Sequence, residues 1–211
     1  MRFTPVALGG PMIIDVEPHA DARGGFARIF CAEAFARAGL PAQFVQCNLS
    51  SNRRRGTLRG LHFQREPYPE GKLVRCTRGA IYDVAVDLRG NSVTRGRWVA
   101  VELTADNQRA LWIPRGFAHG FLTLCPGTDV FYQMTEAYRP EFSAGVRWDD
   151  PALGIAWPLA NPTVSPRDRG FPGFAELEVT GLLAAVARGP ERTPVHPTSW
   201  SDHYPQIRTG Q

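Results

Sequence analysis

Short apolar–polar alternations dominate the chain from about Phe44 to Trp157. They read as strands, because successive side chains on a strand point to opposite faces. KLVRC (72–76), AIYDVAVDL (80–88), RWVAVEL (97–103), ALWIP (110–114), HGFLTL (119–124) and DVFYQM (129–134) follow at short intervals. Turn-forming stretches such as TRG, RGNSVTRG, TADNQ, PRGF and CPGT separate them. Regularly spaced short strands predict an all-β sandwich, jelly roll or barrel. Helical signals stay at the margins. CAEAFARAGL (31–40) predicts a short helix ended by Gly39, and AELEVTGLLAAVAR (175–188) predicts another, weakened by Thr180 and Gly181. Residues 1–18 read as an extended entry and DARGG (21–25) as a turn. From Gly189 the chain is rich in Pro, Ser, Thr and Arg and is expected to be irregular. The organisation predicted is one domain over residues 1–174 and a C-terminal extension over 175–211.

Two strands break their own pattern. In AIYDVAVDL, Ala80, Tyr82, Val84 and Val86 share one face, while Ile81, Asp83, Ala85 and Asp87 share the other. Two aspartates among apolar neighbours mean a wet face or a polar cavity. In GTLRGLHFQ (56–64), alternation puts His62 with Gly60 and Gln64, and Arg59 with Leu61 and Phe63. A lone strand histidine is more often a satisfied core residue than a catalyst. Here it has company: Lys72 nearby, His119 between glycines in GFAHGF, Tyr132 and Tyr138 framing YQMTEAY, and Asp168 in SPRDRG. A base, cations and phenols on a β scaffold suit a reaction in which a proton leaves carbon and the resulting oxyanion is stabilised.

Composition narrows the classes. With 21 glycines and 18 prolines in 211 residues, a turn-rich fold is favoured. The net charge of +4 suits an anionic small ligand and is too dispersed for nucleic acid. NRRRG (52–56) is the one dense basic run; it reads as a solvated loop, with phosphate contact by one or two of its arginines left open. The four cysteines stand singly, with no C-x-x-C pair. No secretory h-region and no apolar run near the ~20 residues of a membrane span is present, so a cytoplasmic protein is expected. There is no H-x-H and no glutamate at the interval a cupin metal site uses, so no metal is expected. His19, His196 and His203 lie in polar or proline-rich surroundings and are expected at the surface.

QCNLSSNRRRGTLRGLHFQ, KLVRCTRGAIYDVAVDLRGNS, LWIPRGFAHGFLTL, VFYQMTEAYRPE, WDDPALGIAWP and SPRD occur in this order. Over residues 3–174 the chain thereby resembles the nucleoside-diphosphate 4-keto-6-deoxysugar epimerases. The resemblance implies a cupin-type jelly roll (double-stranded β-helix) with short peripheral helices, a homodimer, a nucleotide-sugar substrate, and no metal or organic cofactor. It implies that His62 is the general base, Asp168 its orienting carboxylate, Tyr132 the acid on the opposite face and Lys72 the cation beside the C4 oxygen. Arg23, Phe26, Gln46, Asn48, Arg59 and His119 would hold nucleotide, diphosphate or sugar. Tyr138 would stack on the base, and Arg167 stands where a lysine is usual. Two positions depart from the pattern, Arg28 and Ser143, each in place of a glutamate. They leave dTDP, CDP and GDP open as carriers. A cupin 3,4-ketoisomerase using His62 and His119, and a non-catalytic sugar-nucleotide binder, are the competing readings.

Overall fold

The computed structural model describes residues 1–179. Strands β1 (Arg2–Pro5) and β2 (Met12–Asp15) open the chain, and β3 (His19–Asp21) and β4 (Gly24–Phe26) form a hairpin. Helix α1 (Ala32–Arg37) precedes β5 (Gln46–Asn52), β6 (Thr57–Gln64), β7 (Lys72–Arg78) and β8 (Ala80–Asp87). Then come β9 (Trp98–Thr104), β10 (Ala110–Ile113), β11 (Phe117–Thr123) and β12 (Thr128–Met134). The described chain closes with β13 (Ser143–Gly145), β14 (Thr163–Val164), α2 (Pro166–Arg169) and α3 (Phe174–Val179).

One sheet runs in the order β1-β2-β10-β7-β12-β5 and the facing sheet in the order β13-β6-β11-β8-β9, with β14 added beside β6. From β5 to β13 nearly every connection switches sheet, and the winding of one chain through two sheets is a jelly roll, one of the architectures the strand rhythm allows and the one the resemblance implies. The space between the sheets is filled from both sides. Val74, Leu111, Ile113 and Val130 meet Ile81, Ala85, Val101, Leu103, Phe117 and Phe121.

The outer faces are covered as well. Phe35 of α1 is fully buried on the first sheet and meets Phe3 and Phe30 edge to face. Gly39, at φ +71°, ends that helix turn where a side chain would be strained. On the second sheet Val84 and Val86 pack under Trp157, Phe174 and Leu177. Both faces of β8 are therefore dry, which corrects the wet-face option for its aspartates. Asp87 is fully buried and anchors the following loop, accepting from Arg89 Nη2 at 2.7 Å and Thr94 Oγ1 at 2.6 Å. Asp83 lies in the interior and belongs to the site described below. The predicted second helix is seen over Phe174–Val179; the rest of it, the irregular tail, His196 and His203 lie outside the described residues. Among the described residues no helix is long and apolar enough to cross a membrane.

Candidate active site

His62 stands on β6 opposite His119 of β11, and Arg59 stands opposite Phe121. Four residues of β6 thus span three of β11. The extra residue resets the alternation, so Arg59 and His62 share the inner face. The simple period-2 expectation, which separated them, is corrected. Glycine is required where the strands crowd. Gly60 has φ +130°, and a Cβ there would lie 2.6 Å from Gly120 Cα; a Cβ on Gly120 would lie 2.9 Å from Arg59 O.

The shift also leaves Gly60 N free to bond outside the ladder, and Asp168 Oδ2 accepts it at 3.1 Å. The other oxygen, Oδ1, lies 2.9 Å from His62 Nε2. Asp168 arrives on the short helix α2, whose Ser165 Oγ accepts the Asp168 N–H at 3.0 Å, with Pro166 at the first helical position. Pairing of β14 with β6, Val164 beside Leu58, fixes where that helix begins. An ionised carboxylate only accepts, so it assigns the hydrogen to Nε2 and leaves Nδ1 as the basic nitrogen.

Burial lowers the pKa of His62, against the raising effect of Asp168, and the charge of Lys72 adds to the lowering. The side chain is 36 % open, yet protein surrounds most of the ring, so both properties fit a residue in a concave wall. Phe171 meets the ring edge-on with centroids 5.6 Å apart. Burial alone would raise the Asp168 carboxyl, but the hydrogen bond and charge of His62 and the Gly60 N–H together hold it below the usual range.

Lys72 is almost closed to solvent. Its Nζ lies 3.0 Å from Glu70 Oε1 and donates to His62 O at 3.1 Å. Glu70 was not singled out from the sequence; it lies in the loop just before β7. Tyr132 of β12, paired with Asn48 and Val74, packs against the interior cluster. Burial raises its pKa, and the charge of Arg59 pulls it back in part.

Gln46 and Asn48 share the inner face of β5 and are joined at 2.9 Å; Gln46 Oε1 also accepts the Tyr138 N–H at 3.0 Å. The Arg59 guanidinium is steadied by Asn52 Oδ1 at 2.8 Å. His119 Nε2 lies 2.8 Å from Asp83 Oδ1 in a sealed setting, which answers why β8 carries that aspartate. Arg167 donates to Ser143 Oγ at 2.8 Å, joining two positions flagged separately from the sequence. Arg59, His62, Ser165, Arg167 and Asp168 line a cleft of about 400 Å³. The Arg53–Arg55 run is a solvated turn, as its composition predicts.

Two expected binding residues stand elsewhere. Arg23 pairs with Asp21 at 2.6 Å on the exposed β3–β4 hairpin, and Phe26 of the same hairpin is 72 % exposed. Arg28 is exposed beyond it.

The chain that carries these residues matches a known family. Residues 5–176 fit the model of dTDP-4-dehydrorhamnose 3,5-epimerase. The enzyme of that name from Methanothermobacter thermautotrophicus is 49% identical over 84% of this chain and 97% of its own. The crystal structure of NovW, a 4-keto-6-deoxy sugar epimerase of Streptomyces spheroides, superposes with a TM-score of 0.85 at 38% identity, covering 89% of this chain and 94% of that one. A Legionella pneumophila epimerase solved in complex with dTDP-4-keto-L-rhamnose gives 0.81 at 37% identity, covering 86% and 96%. The chain belongs to the dTDP-4-dehydrorhamnose 3,5-epimerase family.

Proposed function

We propose that the protein inverts C3, C5 or both in a dTDP-linked 4-keto-6-deoxyhexose. The observation that carries this reading is the His62–Asp168 pair, held at 2.9 Å between β6 and α2, with Lys72 of the facing sheet reaching across to the His62 carbonyl. The C4 ketone acidifies the hydrogens on C3 and C5. Neutral His62 removes one of them, and the electron pair delocalises onto O4, where the Lys72 ammonium stabilises it. Tyr132 delivers its proton to the opposite face of the same carbon, the enolate returns to the ketone, and the centre is inverted. Water then restores the phenol and takes the proton from His62. Arg59 is a fork for diphosphate oxygens, with Gln46, Asn48, His119, Tyr138 and Arg167 around sugar and nucleotide. The chemistry calls for no metal or organic cofactor, because the substrate's own ketone supplies the acidity.

The same reading places the enzyme in the cytoplasm as a homodimer of epimerase domains spanning 1–174, each with an extension from 175. The exposed apolar side chains of Phe26, Ile29, Val45 and Leu49 support a face covered by a second copy, with Arg23 and Phe26 carried on its hairpin. The test is a proton NMR time course in D₂O on 4-keto-6-deoxyhexoses linked to dTDP, CDP and GDP. Exchange and inversion at C3 or C5 of the dTDP sugar are expected. Migration of the carbonyl from C4 to C3 would identify a ketoisomerase, and no exchange on any sugar would identify a binding protein.

A further inference from the structure

Glu70 is one of the most enclosed acids of the described chain, and it faces the cation that the proposed reaction depends on. Its side chain is 5% exposed and that of Lys72 is 8% exposed. Oε1 lies 3.0 Å from Lys72 Nζ, while Oε2 accepts the backbone N–H of Gln64 at 2.8 Å. Gln64 is itself fixed from three sides: its amide donates to Tyr68 O at 2.9 Å and Ala137 O at 3.2 Å, and its Oε1 accepts Arg139 N at 2.6 Å. The carboxylate is therefore locked to the end of β6 and cannot swing with the lysine. The lysine, in turn, reaches from β7 across to His62 O on β6.

We infer that Glu70 is the positioning residue for Lys72, fixing the place of the ammonium that stabilises the enolate oxygen and pairing with it in the buried site. The inference rests on the epimerase reading of the site. A carboxylate beside an oxyanion-binding cation weakens that cation's pull on a second anion, so its presence needs a reason. The reason lies in the burial. A buried ammonium without a counter-charge bears the full cost of its desolvation. A four-carbon stem also leaves the ammonium several rotamers, only some of which face the substrate. Glu70 removes both difficulties. It leaves Nζ with hydrogens to spare, because an ammonium has three and the structure occupies two with Glu70 and His62 O. The third is available to O4.

Glutamine at position 70 separates the positioning role from a packing role. It keeps the shape and one acceptor oxygen. That oxygen can serve Gln64 N or Lys72 Nζ, and the charge is gone. The experiment is a double-mutant cycle on turnover of the dTDP-4-keto-6-deoxyhexose, with Glu70→Gln and Lys72→Met made singly and together. Glu70→Gln should lower kcat tenfold to a hundredfold while KM moves less than threefold. In the Lys72→Met background the same change should cost less than twofold, because its effect passes through the lysine. An equal loss in both backgrounds, or a wild-type kcat in Glu70→Gln, overturns the inference. Should Glu70→Gln fail to fold, Glu70→Asp, which keeps the charge but withdraws it by one methylene, goes through the same cycle with the same two outcomes. If the wild type shows neither exchange nor inversion, it is the epimerase reading that fails.

Discussion

Two histidine–carboxylate pairs sit side by side in this barrel, and they differ in how they are closed. His62 and His119 are direct neighbours across β6 and β11. His119 takes its carboxylate, Asp83, from the next strand of the same sheet; its side chain is 9% exposed, and Asp83 Oδ2 has no partner among the described residues. His62 takes Asp168 from a helix outside the strand order and is open to the cleft. A histidine that exchanges protons with substrate must be reachable, and its carboxylate must set a tautomer without sealing the ring. The β6–α2 arrangement meets both needs. The sealed pair presents an imidazole fixed by a fully buried carboxylate and with little exposure to solvent. Nearly the same chemical unit is thus open to a cleft in one place and enclosed in the other, which suits the proposed base and a rigid contact respectively.

The sharpest way to break this comparison is to remove each histidine's function in turn. His62→Ala should lower exchange at C3 and C5 by ~10²–10⁴, the usual scale for a positioned base. Exchange near the wild-type rate would move the base elsewhere. Asp168→Asn should cost on the order of 10–100-fold. It should also move the acid limb of kcat/KM to lower pH, because the carboxylate raises the proton affinity of His62 and its loss leaves burial unopposed. An unmoved limb would mean that Asp168 only supports the loop.

The wild-type profile has its own sign. His62 is lowered by burial, so the active neutral form persists below the ordinary value, and the acid limb should lie under about pH 6.5. Asp168 is lowered too, so both groups bind protons more weakly folded than unfolded. Their stability contribution is present above the unfolded values and is lost as pH falls through the folded ones. A limb above pH 7 in a pH–rate series would contradict this. The smallest catalytic effect belongs to Asp83→Ala. It leaves a buried His119 nitrogen unpaired and should cost about 1–3 kcal/mol in urea unfolding. It should raise KM and lower kcat less than tenfold. A larger kcat loss would give the sealed pair a proton-transfer role.

Much of this was legible from local pattern. Strands β7 to β12 announce themselves by alternation and turn residues, and α1 by Phe35 and Gly39, whereas the short β13 and β14 do not. Arg59 was misplaced because one extra residue in β6 inverts every later side chain, and that shift is set by Gly120 on another strand. Asp83 and Asp87 look alike in sequence; only the tertiary neighbours, His119 for one and the Arg89–Thr94 loop for the other, tell them apart. Glu70 sits among Pro and Gly in EPYPEGK, where an acid reads as a loop charge, and burial is what gives it meaning. The Arg167–Ser143 contact spans 24 positions and leaves no local trace.

The central claim is that protons leave and arrive on opposite faces, with His62 and Tyr132 as the two agents. Tyr132→Phe tests it most directly. His62 would still form the enolate and Lys72 would still hold it, but the proton would return from the His62 face or slowly from water. In D₂O, proton NMR of the variant with the dTDP-4-keto-6-deoxyhexose should show deuterium entering C3 or C5 with little epimer formed. If the variant inverts as fast as it exchanges, Tyr132 is not the opposite-face acid, and the two-sided account of this barrel is wrong.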